Sequence, residues 1–207
     1  MIDFDSVLKD LSARAEGKGH DSLATEERFM REANRMASSG YRFEKGSLEA
    51  LWSYLDGYSI GLVGSIGSGK TMFFRLLETV QLDRFDIDPH INILPMGILA
   101  SMTTHEIVER MDEMRMHEVL IDDIGSEQIN NTFGVKSEIL SLVLECRCES
   151  KHRTHFTTNL SGATIKERYG DRIIDRLKMF RTFVLNGRSN RVPTQNRFLS
   201  MMRERIV

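Results

Sequence analysis

Apolar positions along this chain switch between two periods. In KTMFFRLLETV, Phe73, Leu76, Leu77 and Val80 fall at i, i+3, i+4 and i+7, one face of a helix. The preceding YSIGLVG, Tyr58 to Gly64, is a short apolar run suited to a buried strand. The same alternation continues downstream. INILPMGILA reads as a buried strand, TTHEIVERMDEM as a helix, and HEVLIDDIG as a strand ending in acids. VKSEILSLVLECRCES is strongly helical in period, with Ile139, Leu142, Val143 and Cys146 on one face. THFTTN follows as a strand, SGATIKERYG and DRIIDRLKMF as short helices, and RTFVLNG as a last strand. Strands alternating with helices of this length predict a parallel sheet covered on both faces, with ligands at the carboxyl ends of the strands.

Three helical patterns precede the first strand. Phe4, Val7, Leu8 and Leu11 mark one, and Phe29, Ala33, Met36 and Ala37 another, separated by the polar break EGKGHDS. GSLEALWSYLDG is the third, with Leu48, Leu51, Trp52 and Leu55 on one face and Ser47 as its expected N-cap. Residues 1–45 therefore read as a short N-terminal helical segment and residues 46–207 as the main domain, with no repeats.

Composition narrows the class. The 207 residues suffice for one full core, and a formal charge of −2 does not announce a nucleic-acid binder. No apolar run approaches the roughly 18–20 residues of a membrane helix. The acidic start MIDFDSVLKDLSARAEG is no secretory signal. Cys146 and Cys148 are the two cysteines, and their spacing on a helix does not favour a bridge; a reduced, cytoplasmic protein is expected. His152 and His155 in KHRTH read as solvated loop residues rather than metal ligands.

Between the first strand and its helix lies GSIGSGKT: Gly64, Ser65, Ile66, Gly67, Ser68, Gly69, Lys70 and Thr71, followed by Met72 at the helix start. Strand, G-x-x-x-x-G-K-[ST] and helix in that order make a P-loop. Glycines let successive N–H groups surround a phosphate, and the helix N-terminus adds partial positive charge. A phosphate chain with Mg²⁺ is the implied ligand, Lys70 reaching the β and γ phosphates and Thr71 ligating the metal. Asp122 and Asp123 end the strand VLIDDI; Asp122 suits the Mg²⁺ side of the site with Thr71, and Asp123 can polarise the attacking water. Asn159, ending HFTTN, can donate to a γ-phosphate and accept from water at once, unless it or Ser161 simply caps the next helix. Arg172 and Arg176 share a helix face. They are either half of a solvated ion-pair surface with Asp171 and Asp175, or bidentate groups for a γ-phosphate held by a neighbouring subunit. Arg188 and Arg191, after the last strand, could reach phosphates in cis.

GSIGSGKT, VLIDDIG, FTTNLS, YGDRIIDRL and NGRSNR stand in the order seen in DnaC/IstB-type AAA+ ATPases, the helicase loaders and transposition helpers, and the chain resembles that family from about Gly46 to Pro193. The resemblance implies a RecA-like, three-layer α/β/α P-loop NTPase fold with a mostly parallel five-stranded sheet. It implies ATP and Mg²⁺, ATP-dependent self-association into a homo-oligomer, and single-stranded DNA or a DNA-processing protein as client. By the same likeness Asn159 is similar to the sensor 1 residue, Arg176 with Arg172 beside it to the arginine-finger region, and Arg191 to the arginine of a closing G-x-S-x-R. The short stretch after the last strand leaves no room for a full lid domain. The N-terminal segment, with arginines and glutamates balanced on its second helix, is expected to recruit a protein partner. Two other functions fit a P-loop: a phosphotransferase acting on a small acceptor, and a nucleotide switch that does not hydrolyse.

Overall fold

The computed structural model describes residues 31, 45–79, 90–127, 135–148, 150, 152–185 and 187. Apart from Arg31, which is helical, the first two expected helices lie outside the described residues, as do Val80, Arg188 and Arg191. In chain order the elements are α1 (Lys45–Leu55), β1 (Ile60–Gly64), α2 (Lys70–Thr79), β2 (Ile91–Pro95), α3 (Met96–Leu99), α4 (Thr104–Glu113), β3 (Glu118–Ile124), α5 (Val135–Cys148), β4 (Thr154–Thr158), α6 (Gly162–Tyr169), α7 (Asp171–Leu177) and β5 (Arg181–Leu185).

The five strands form one sheet in the order β2-β3-β4-β1-β5, and every neighbouring pair is parallel. Parallel strands are buried on both faces and need helical crossovers, as the apolar runs foretold. Two cores result. Leu51, Tyr54, Phe73, Phe74 and Leu77 of α1 and α2 pack with Ile60, Leu62, Ile91 and Leu120 on one face. On the other, Ile107, Met111, Leu140, Val143, Ile165 and Ile173 pack with Val119, Ile121 and Phe156. Along β3, Val119, Leu120 and Ile121 alternate between the two cores, the period-2 signature of a strand.

Three local expectations are corrected. INILPMGILA is not one strand: β2 ends at Pro95, which lies at φ −61 and ψ 128 as the N-cap of α3. Proline lacks the N–H that would continue the ladder. Ser47 is no N-cap, since it lies inside α1, with Lys45 and Gly46 helical before it. Gly46 lies so close to β5 that an added Cβ would come within 2.7 Å of the Val184 carbonyl. His155 is no solvated loop residue but is fully buried in β4. Its Nδ1 accepts from the Ile60 amide at 3.1 Å, and its ring packs at 5.4 Å from Tyr54 and 5.2 Å from Phe74. The polar look of KHRTH conceals a strand that begins at Thr154.

Candidate functional site

Because the strands are parallel, the carboxyl ends of β1, β3 and β4 converge, and each delivers one part of the site. After β1 the chain turns through Gly67 at φ 81 and Gly69 at φ 99, conformations that glycine adopts without strain. Gly64 admits no side chain, since a Cβ would sit 2.2 Å from the Leu185 carbonyl. Lys70, the first residue of α2, is held by three oxygens. Its Nζ donates to the Gly64 carbonyl at 2.8 Å, the Ser65 carbonyl at 2.9 Å and Asn159 Oδ1 at 2.6 Å.

β3 brings the acids, and its backbone explains how two adjacent residues face one site. Ile121 pairs with Phe156 and Ile124 with Thr158, so β3 carries one residue more than β4 across this stretch. This is a β-bulge. Asp123 occupies it at φ 60, the one non-glycine residue among those described with positive φ. Thr157 sits opposite. Its hydroxyl donates to Asp122 Oδ1 at 2.6 Å and accepts from the Asp123 amide at 2.7 Å. The Thr71 hydroxyl donates to Asp122 Oδ1 at 2.9 Å. Asn159 joins the two halves, its amide nitrogen donating to Asp123 Oδ1 at 2.7 Å while its oxygen accepts from Lys70. Burial pushes the Asp123 carboxyl above the ordinary aspartate range, and the neighbouring Asp122 adds to the rise against the opposing pull of Lys70 and Asn159.

These groups open onto one cavity of about 700 Å³, lined by Ile66, Gly67, Gly69, Lys70, Thr71, Met72, Arg75, Asp122, Asp123, Thr157 and Asn159. Gly64 and Ser65 contribute carbonyls behind it, and Ser68 is buried beneath the loop. The donor set fits a metal–nucleotide pair. Asp122 and Thr71 offer two hard oxygens side by side, and phosphate and water would supply the rest of a Mg²⁺ shell. Among the described residues no group of three or more His, Cys, Asp or Glu side chains could hold a metal on its own. Thr157 and Arg75 were not singled out by the sequence. Thr157 becomes visible only once the bulge places it opposite the acids.

Asn159 does not cap α6. Ser161 does, accepting from the Thr164 amide at 3.1 Å. Arg172 and Arg176 do share one face of α7, but the structure keeps them away from the P-loop cavity. Both converge on Glu145 of α5: Arg172 Nη2 lies 2.6 Å from its Oε1, and Arg176 pairs with the same oxygen. Arg176 also donates to the Ser141 carbonyl at 2.6 Å, so its side chain is 18% exposed, against 73% for Arg172. Asp171 and Asp175 pair instead with Lys166 and Lys178. The arginine pair pulls the Glu145 carboxyl down, chiefly through the Arg176 hydrogen bond.

A five-stranded parallel sheet sandwiched by helices, with a glycine loop between β1 and α2 and acids at the end of β3, defines a three-layer α/β/α P-loop NTPase fold. Within that class the chain is similar in structure to a helicase loader and to DnaA. It matches the crystal structure of the DnaC helicase loader with a TM-score of 0.56 and 19% identity, over 70% of this chain and 92% of that one. It matches AMPPCP-bound DnaA from Aquifex aeolicus with a TM-score of 0.52 and 13% identity, over 78% of this chain and 50% of that one. No protein-family model and no curated protein matches the chain. At these identities the likeness is one of fold.

Proposed function

We propose that this protein is an ATPase of the DnaC/IstB-like AAA+ kind, which self-associates on ATP and acts on a DNA-processing partner, with single-stranded DNA in contact with its core. The observation that carries the reading is the single bonded chain Lys70–Asn159–Asp123, flanked by Thr71–Asp122, along the wall of the P-loop cavity. In that reading, Gly64 to Met72 hold the phosphates, and Arg191 serves as a further cation for them. Mg²⁺, held by Thr71 and Asp122, supplies charge neutralisation at the phosphates when bound. Nucleotide phosphate competes with Asn159 for the Lys70 ammonium; Asn159 Nδ2 then donates to the γ-phosphate while its freed Oδ1 accepts from the attacking water. Asp123 takes a proton from water as its oxygen bonds to the γ-phosphorus. The bond from that phosphorus to the bridging oxygen breaks, and ADP leaves with the electron pair. Arg176 or Arg172 of a neighbouring copy neutralises the developing charge, and residues 1–45 recruit the protein partner. Deleting residues 1–40 is then expected to abolish partner capture and leave ATP binding intact; lost ATP binding with capture retained contradicts that role.

Two measurements on the full chain test the reading together: phosphate release with and without single-stranded DNA, and light-scattering mass with and without ATP. DNA-stimulated release and ATP-dependent assembly are expected. Turnover only with an added small acceptor would mark a phosphotransferase, and ATP binding with neither release nor assembly would mark a switch.

A further inference from the structure

The turn that follows β3 is tied down by a buried polar clamp that the chemistry above does not use. Glu127 is 4% exposed. Its carboxylate accepts from the Gly125 amide at 3.1 Å and from the Tyr169 hydroxyl, and it lies 3.1 Å from the Arg168 guanidinium. Arg168 reaches further, donating to the Gly125 carbonyl at 2.9 Å and the Glu127 carbonyl at 2.7 Å. One planar fork from α6 thus binds two backbone carbonyls and a carboxylate of the same turn. A buried ion pair of this kind adds little net stability over apolar packing, so its use lies in the geometry it fixes.

That geometry belongs to Asp123. Its left-handed φ of 60 is a conformation that persists in a side-chain-bearing residue only where its surroundings over-determine it. Thr157 holds the amide side of Asp123. On the other side the Asp123 carbonyl accepts from the Ser126 amide at 3.0 Å, closing the turn that Arg168 and Glu127 clamp. Gly125, at φ 101, lies against the Leu160 side chain, which an added Cβ would approach within 2.5 Å.

We propose that Arg168, acting through Glu127 and Gly125, is a positioning residue that holds Asp123 in its left-handed conformation and keeps its carboxylate aimed at the attacking water. Arg168 does not line the nucleotide cavity, so it acts through Asp123 and not on the nucleotide. The inference rests on the hydrolase reading of the site.

The test is a double-mutant cycle on the full chain. Arg168→Lys keeps the charge and removes the fork. With Mg-ATP it should lower kcat about 10- to 100-fold, the scale of an ångström-sized misplacement, while the dissociation constant of a non-hydrolysable ATP analogue stays unchanged. In an Asp123→Asn background the same substitution should lower the rate no further, because the group it positions is already lost. Tyr169→Phe removes one hydroxyl from Glu127 and should reproduce the pattern more weakly, which decides the matter if Arg168→Lys does not fold. Wild-type kcat in the variants overturns the inference, as do equal losses in both backgrounds, which mark a merely structural role. Absence of turnover in the wild-type protein itself overturns the hydrolase reading, and the inference falls with it.

Discussion

At Asp123 the backbone, the carboxylate and the neighbours all bear on one function. The bulge turns this residue and Asp122 toward the same cavity, where a regular strand would send them to opposite faces. Asp122 is occupied by two hydroxyls, and Asp123 by the amide of Asn159. A general base must be ionised, and burial followed by the charge of Asp122 raises this one. The acid limb of the kcat/KM profile, which reports the free protein, should therefore lie above the ordinary aspartate value of 3.8, with kcat/KM falling as pH drops through it. A steady-state pH profile checks this; an acid limb at or below that value counts against Asp123 as the base. At this scale the loop from Gly64 to Thr71, the tandem acids and Asn159 were legible because each is a local pattern. Thr157, Glu127 and Arg168 were not. Their positions in the site follow from a bulge and from contacts between β3 and α6, which no single stretch of sequence encodes.

The elements are held by polar groups as well as by apolar faces. At the amino ends of β3 and β4, Glu118 accepts from Tyr54 at 2.8 Å and from Arg153 at 2.6 Å, and lies 3.5 Å from His155 Nε2. Burial pushes Glu118 up, but His155, Arg153 and Tyr54 outweigh it and hold the carboxyl at about 2. Its contribution to stability is present above its ordinary value of 4.5 and is lost as pH falls toward 2. Burial lowers the pKa of His155, so below 6.5 the unfolded chain takes a proton that the folded chain refuses. Both act in one direction. Thermal midpoints should fall steadily from neutral pH into acid, and Glu118→Gln should flatten the lower part of that curve. An unchanged slope would remove Glu118 from the account. The five strands and the helices on both sides were readable from apolar period. The errors fell where period is silent. Pro95 cuts a continuous apolar run, α1 carries its serine inside the helix and not at a cap, and a histidine in a polar stretch enters the core.

For the whole molecule, the proposed self-association turns on two arginines. Arg172 and Arg176 lie on α7 against Glu145 and line no part of their own P-loop cavity, so in the proposed assembly they would have to serve a second copy. Mixing Arg176→Ala with Lys70→Ala should therefore restore part of the activity that each lacks. One copy supplies an intact P-loop and the other an intact arginine, a contribution of ~10³–10⁵ in rate where such fingers operate. A mixture as inactive as its components, while both still assemble, would place Arg176 in cis or in the fold alone; the same mixture with Arg172→Ala separates the two arginines. All of this depends on the cavity being a hydrolytic ATP site. The most direct test is phosphate release from Mg-ATP by the wild-type protein and by Asp123→Asn, at concentrations where calorimetry shows both saturated. The wild type should turn over, and the variant should bind equally well and release phosphate ~10²–10⁴-fold more slowly. Equal rates in the two proteins, or no release by either, would contradict the account.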